Sequence, residues 1–380
     1  MTLKILLNSE KFTPASRVYI YDLKEKFLKS GLKVDINKFN NYSDYDYLFL
    51  MGNDEHFQEI RNKNPKIKIV LCDPKQSSKD YIKNVMSANL VLACSNEQRD
   101  SFLRLNQKIL VYPTYPNIRL SLKKHKKKSA ITIGYHGNKV HLEAISENII
   151  KSIENISLTR RINLNLIYNI RNLGVANIKL NKNKNLNINH IQWDNLTFKK
   201  EIKKIDIGIV PSLLPIKNIE KTKKKVMVKN LDVNYEPFDY LLRYKSSNNS
   251  GRISVFAKYG IPVIAEPTQS NCEVIKNGEN GYICFSFDNW RYTLDLLCEN
   301  HLLRKKISRN LINNIKRIEK DSFKTLLMKL EKFDADSSIN PKGYNEAMED
   351  LKRYKYQKNF SLFNKLLIFL SRIKSKIKKY

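Results

Sequence analysis

Residues 245–290 limit what this chain can fold into more than any other part of it. They read KSSNNSGRISVFAKYGIPVIAEPTQSNCEVIKNGENGYICFSFDNW. A polar loop leads to Gly251, and Ile253, Val255, Phe256 and Tyr259 then recur at helical spacing. Gly260 supplies the left-handed residue that closes such a helix, and residues 261–265 form a β-branched run of strand length. A second loop and a short helix follow, closed by Asn277-Gly278, and Gly281 opens another strand over 282–286. Loop, helix and strand twice over is the rhythm of a parallel α/β domain, whose ligands lie beyond the carboxyl ends of the strands. The glycine-containing loop that opens the first helix offers backbone N–H groups to an anion, with Lys245 and Arg252 beside it.

The first 115 residues repeat the alternation. Strand-like runs fall at 4–8, 33–36, 45–51, 67–72, 90–94 and 109–112. Helical patterns lie between them, for example over 15–29 and over 95–105, where Ser95 is placed to cap and Gln98 sits three positions on. Pro113-Thr114-Tyr115-Pro116 and the Lys-rich 121–128 carry no periodicity and read as a linker. A second α/β unit starts at Ala130, with a strand over 131–135 and a helix over 139–153. Strands over 162–167, 188–193 and 206–210 follow, then a Lys-rich insertion over 214–240 and closing helices over 287–333. The expected division is a first domain over 1–116, a linker over 117–129 and a second domain over 130–338. A return helix and terminal helix would occupy 339–380.

The 380 residues carry a net charge of +32, with five cysteines. More than half of that excess lies in three places: residues 123–128, 217–229 and 351–380. No helix-turn-helix, zinc-finger, RRM or KH pattern accompanies it, and the aromatics sit in apolar runs, so no nucleic-acid partner is expected. The scattered, odd-numbered cysteines read as buried thiols of a reducing compartment. No signal peptide or membrane-spanning stretch is read. Nothing sets an oligomeric state.

The 245–290 segment resembles the nucleotide-sugar half of GT-B glycosyltransferases, in which a helix ending in G-x-P-V-I-A and a later E-x-I-x-x-G-x-N-G flank the donor site. The matching stretches are Gly260-Ile261-Pro262-Val263-Ile264-Ala265 and Glu273-Val274-Ile275-Lys276-Asn277-Gly278-Glu279-Asn280-Gly281. The resemblance implies an α/β fold of two Rossmann-like, doubly wound parallel-sheet domains facing a cleft, with a helical C-terminal tail. It also implies acceptor binding by the first domain, nucleotide-sugar binding by the second, and transfer without a bound metal or permanent cofactor. Many retaining members carry a Glu–seven residues–Glu pattern before the G-x-P-V turn. Ser247 and Val255 occupy those positions here, so the resemblance implies no stereochemistry.

The candidate donor-binding residues are Gly134, Gly137 and Asn138 at the end of the second domain's first strand, with Lys245, Asn249, Ser250, Gly251 and Arg252 in the polar loop. Glu273 is a candidate sugar or ribose contact. Gly137 lets the backbone approach a ligand, and a helix start favours phosphate. Cations there would stabilise the charge that grows on a departing diphosphate. His136 is the candidate for a hydrogen bond to phosphate or sugar, or for a general base. Asp73, before Pro74 at a strand end, is the candidate base for an inverting reaction, and Gly52-Asn53-Asp54 has similar standing. Tight turns and helix capping account for the same residues without any ligand.

Residues 360–380 place Leu362, Phe363, Leu366, Leu370, Ile373 and Ile377 on one helical face, with Lys365, Arg372, Lys376 and Lys379 outside it. Such a helix suits an anionic membrane surface, through 357–380. Packing against the protein's own core is the other use of it. The expectation is therefore a cytoplasmic enzyme, peripheral on the inner face of a bacterial membrane. It would move a sugar from a nucleotide donor to a lipid-linked or surface-glycan acceptor, as in capsule or lipopolysaccharide assembly. A sugar-nucleotide epimerase and a non-enzymatic basic scaffold remain the alternatives on this fold.

Overall fold

A computed structural model describes residues 3–9, 12–39, 41–51, 57–75, 81–181, 183–214 and 248–332. The first unit holds β1 (Lys4–Ser9), β2 (Lys33–Ile36), β3 (Tyr47–Met51), β4 (Lys68–Cys72), β5 (Leu90–Ala93) and β6 (Ile109–Val111). They form one all-parallel sheet in the order β2-β1-β3-β4-β5-β6. Runs such as Leu90–Ala93 are buried throughout, which is why they read as continuously apolar: helices cover both faces of a parallel sheet. The covering helices are α1 (from Pro14 to Lys29), α2 (Phe57–Lys63), α3 (Tyr81–Ser87) and α4 (Asn96–Phe102). The Ser95 side chain accepts from the Gln98 backbone, as its spacing predicts. Helix α1 is not one regular helix. A π-helical segment, Arg17–Asp22, interrupts it and turns Val18, Tyr19, Ile20 and Asp22 inward together.

The second unit holds β7 (Ala130–His136), β8 (Arg161–Tyr168), β9 (Leu186–Gln192), β10 (Ile207–Val210), β11 (Val263–Ala265) and β12 (Tyr282–Ile283), in the order β12-β11-β10-β7-β8-β9. The helix expected over 139–153 is two helices, α5 (Lys139–Glu143) and α6 (Glu147–Ser157). The chain leaves helical geometry at Ala144 and restarts after an extended Ser146. Leu142, Ile149 and Ile153 keep helical spacing across the break, so periodicity hides it. The remaining helices are α7 (Ile170–Leu173), α8 (Phe198–Lys204), α9 (Gly251–Lys258), α10 (Gln269–Val274), α11 (Phe287–Glu299) and α12 (His301–Glu331). Gly260 closes α9 with φ of 69°, the left-handed cap its position predicts. Cys72, Cys94, Cys284 and Cys298 are buried free thiols, whereas Cys272 is exposed. Among the described residues, no helix is long and apolar enough to cross a membrane.

The linker is irregular but anchored. Tyr19 Oη donates to the Tyr112 carbonyl at 2.6 Å, and Asp22 accepts the Asn117 amide at 2.7 Å. Farther on, the Ser121 and Lys123 amides bond to the Lys258 and Tyr259 carbonyls. His125 Nε2 donates to the Gly260 carbonyl at 2.8 Å. Burial opposes ionisation of Asp206, yet Lys123, Lys128 and the Thr132 amide outweigh it and hold the carboxyl below its ordinary range. The lysines that made the segment look unstructured are thus part of what fixes it.

The two units are also joined by α12, which starts on the second core with Ile307 and ends on the first with Leu326 and Leu330. Tyr47 Oη donates to the Leu330 carbonyl at 2.6 Å. This helix crosses back to the first unit; the return helix and terminal helix expected over 339–380 lie outside the described residues. Leu326 is fully buried. Leu326→Ala is expected to cost about 2–5 kcal/mol in chemical denaturation, by leaving a cavity where α12 meets the first sheet.

Candidate functional site

In the second sheet the strand order reverses between β7 and β10. In an open parallel sheet, that reversal leaves a crevice beyond the carboxyl ends of the two strands. Arg252, in the first turn of α9, lies across it. Its Nη1 donates to the Pro211 carbonyl at 2.7 Å and its Nη2 to Ser212 Oγ at 3.1 Å, just past β10. On the β7 side its guanidinium lies 5.8 Å from the centre of the Tyr135 ring. These two bonds leave guanidinium N–H groups for another acceptor. Burial lowers the Arg252 pKa from its ordinary value, with Tyr135 and Glu266 acting in the opposite sense.

The turn between β7 and α5 comes close to Arg252 because of Gly137. Its φ is 142°, and a Cβ there would meet Tyr135 Oη at 2.7 Å and Arg252 Cδ at 3.1 Å. Asn138 caps α5 by accepting from the Val140 amide, and its carbonyl accepts from Tyr135 Oη at 2.7 Å. Gly134 does not belong to the site. It lies in mid-strand, paired with Asn165 on one side and Gly208 on the other, and the Ile205 side chain fills the space a Cβ would need. Sheet packing explains this glycine, and its backbone is not open to a ligand.

His136 is enclosed rather than open to solvent. Its ring meets Phe256 edge-on at 4.7 Å and Phe198 at 5.7 Å, and Nε2 lies 3.2 Å from the Arg252 carbonyl. A carbonyl only accepts, so Nε2 carries the proton and donates. Burial pulls the His136 pKa down to about 4, against the favourable bond to the Arg252 carbonyl, so the ring is neutral at pH 7. His136 thus ties the end of β7 to the first turn of α9. His141, on α5, has a buried Nδ1 with no partner among the described residues. Burial, and then the charge of Arg252, hold its pKa well below the ordinary value.

The polar loop turns partly inward. Asn249 Oδ1 accepts the Gly251 amide at 3.0 Å, and Ser250 Oγ bonds to Tyr115 Oη at 2.7 Å. The Gly251 amide is therefore engaged within the loop, and the Ser250 hydroxyl has a partner in Tyr115. The amides of Arg252 and Ile253, next along the helix start, bond to nothing among the described residues. Lys245 lies outside the described residues, as do Ser247 and the 52–54 turn. Val255, where a carboxylate is missing, is 8% exposed and packed in the core.

Sequence reasoning missed the acidic part of the site. Glu266 follows β11 and is 2% exposed, and its carboxylate accepts the Ser212 and Leu213 amides at 2.7 and 2.8 Å. Asn271 Nδ2 reaches Ser212 Oγ at 3.0 Å and the Glu266 carbonyl at 2.9 Å. Arg252, Ser212, Asn271 and Glu266 therefore form one network at the crevice. The available signal was position: Glu266 is the first residue past a β-branched strand, where ligands gather. Trp193, at the carboxyl end of β9, is 39% exposed and its ring lies 6.4 Å from Phe198.

In the first unit, Asp73 ends β4 with φ of 45° and 3% exposure. Its carboxylate pairs with Lys75 Nζ at 2.6 Å and accepts from Gln98 Nε2 at 3.1 Å. Across from it, α4 touches α10. Glu97 accepts the Ser270 amide at 3.0 Å and Ser270 Oγ at 2.7 Å, and Asn96 donates to Glu273. The structure thus places Glu273 in a contact between the units. Among the described residues, no His, Cys, Asp and Glu group is clustered as a metal site.

No family model matches this sequence, and no curated protein matches it. Solved structures do match its fold. A glycosyltransferase from Rickettsia africae superposes with a TM-score of 0.55 at 12% identity, over 88% of this chain and 99% of the other. A sucrose-phosphate synthase from Thermosynechococcus elongatus gives 0.55 at 10% identity, over 87% and 99%. The HepE protein of Anabaena, in complex with UDP-glucose, gives 0.50 at 10% identity, over 86% and 100%. The chain has the two-domain GT-B fold of these proteins.

Proposed function

We propose that this protein is a glycosyltransferase that moves a sugar from a nucleotide-sugar donor to a lipid-linked or surface-glycan acceptor of the capsule or lipopolysaccharide kind. The observation that carries the reading is Arg252 with helix-start amides that bond to nothing among the described residues, at the switch point of the second sheet of a GT-B fold. Departure of the sugar concentrates negative charge on the diphosphate. A guanidinium and helix-start N–H groups already aimed there favour that state over the ground state. Gly137 and Asn138 form the opposite wall, and Lys245 adds charge to the loop. His136 acts as a positioning residue through its bond to the Arg252 carbonyl, and the exposed Trp193 offers a face for the nucleobase. Incubating the protein with a panel of nucleotide sugars and glycolipid extracts tests the reading. Nucleoside diphosphate released only when donor and acceptor are both present supports it; no release with any donor sinks it.

Asp73 is the proposed base that takes the proton of the acceptor hydroxyl. Asp73→Asn is expected to lower turnover about 10²–10⁴-fold while leaving nucleotide affinity unchanged. Unchanged turnover would remove Asp73 from the reaction.

The acceptor class brings the protein to a membrane, and the basic amphipathic 357–380 segment is the proposed contact. Deleting it should weaken sedimentation with anionic vesicles. Binding of the intact chain should fall with salt, as charges are screened over about 8–10 Å. Equal binding with and without the segment would contradict its role.

A further inference from the structure

The anchored linker presents a surface that the transfer reaction does not use. Leu120 and Leu122 are 39% and 64% exposed, and Lys124, Lys126 and Lys127 beyond them are exposed and without an ion pair among the described residues. Only the intervening His125, Lys123 and the backbone are held down. Neighbouring elements add charge of the same sign. Lys123 Nζ donates to the carbonyl of Lys203 at the end of α8, and Lys203 itself is exposed. On α12, Arg304 donates to the Lys126 carbonyl at 2.8 Å, and Lys305 and Arg309 stand exposed on the same turns. The nearby acid, Asp206, is 1% exposed and already neutralised by Lys123 and Lys128. The strap lies near the starts of β7 and β10, the end of the sheet opposite the switch point.

We propose that this strap and its flanks dock the protein onto an anionic lipid bilayer, with Leu120 and Leu122 entering the headgroup region and the lysines meeting lipid phosphates. Charge complementarity selects an anionic partner, at about one kcal/mol per basic residue near a charged leaflet, or roughly fivefold in affinity each. The leucines select the bilayer over a nucleic acid, which has no apolar layer to receive them. Because the backbone is already pinned, docking orders little further chain. The surface is separate from residues 357–380 and stands whether or not the chain transfers a sugar.

The test uses the full chain with phosphatidylcholine vesicles, with and without phosphatidylglycerol. The triple variant K124E/K126E/K127E should lose about a hundredfold or more of its partition onto phosphatidylglycerol vesicles, with melting temperature and nucleotide affinity unchanged. L122S should lower the partition that survives high salt. Neutralising Arg372, Lys374 and Lys376 in the same full chain measures the tail separately. The proposal is overturned if the triple variant partitions like the wild type. It is equally overturned if L122S has no effect while duplex DNA competes the vesicles away, since the strap would then be a nucleic-acid surface. Failure of sugar transfer would leave both vesicle results untouched.

Discussion

Replacing Arg252 with alanine should weaken nucleoside diphosphate binding about 10- to 100-fold, the loss expected when hydrogen bonds to a charged group are removed, on the order of 1.5–3 kcal/mol. Arg252→Lys should recover part of this, because an ammonium supplies charge without the planar fork that also holds Pro211 and Ser212. The alanine variant also removes the bonds to Ser212 Oγ and the Pro211 carbonyl, so a small loss of stability should accompany the loss of affinity. Isothermal calorimetry on the three proteins separates these effects. Equal affinity in all three would remove Arg252 from the donor site.

Acidification should destabilise the fold between pH 6.5 and 4, before most carboxylates titrate. His136 and His125 are each held neutral, with pKa values lowered to about 4 against 6.5 for the free side chain, mainly by burial. In that window the unfolded chain binds protons that the folded chain refuses. Stability is therefore complete above 6.5 and falls as the pH drops toward 4. For His136 alone the loss approaches about 3 kcal/mol across the window. Denaturant midpoints measured from pH 7 to 4 should fall steeply in the wild type and less steeply in His136→Gln, whose amide can donate to the same carbonyl without titrating. A flat profile, or identical slopes in the two proteins, would show that His136 is not buried as described.

The strands and the Gly260 cap were legible in the sequence because each rests on a local pattern: a β-branched run, or a glycine where a helix must stop. Arg252 was legible for the same reason, as a cation at a helix start in a loop that falls beyond a strand. Its partners were not. Ser212, Glu266 and Asn271 are brought to it by the sheet order, which no local pattern encodes. The break at Ala144 was hidden because apolar spacing continues through it. Gly134 looked like a ligand glycine because its neighbour Gly137 is one in form. Only the Ile205 side chain, far along the chain, shows that Gly134 serves packing. The linker was legible from its lack of periodicity, but its anchoring was not: one buried acid, Asp206, far along the chain, fixes two of its lysines.

A nucleotide sugar bound at the crevice between β7 and β10 would shield the backbone amides there from exchange. Hydrogen–deuterium exchange on the full chain, with and without the nucleotide sugar that most raises its melting temperature, tests this directly. Slowed exchange is expected in peptides covering residues 134–142 and 248–256, above all at the Arg252 and Ile253 amides, with the strap at 119–128 unchanged. Protection confined to other regions, or no stabilising nucleotide sugar at all, would contradict it.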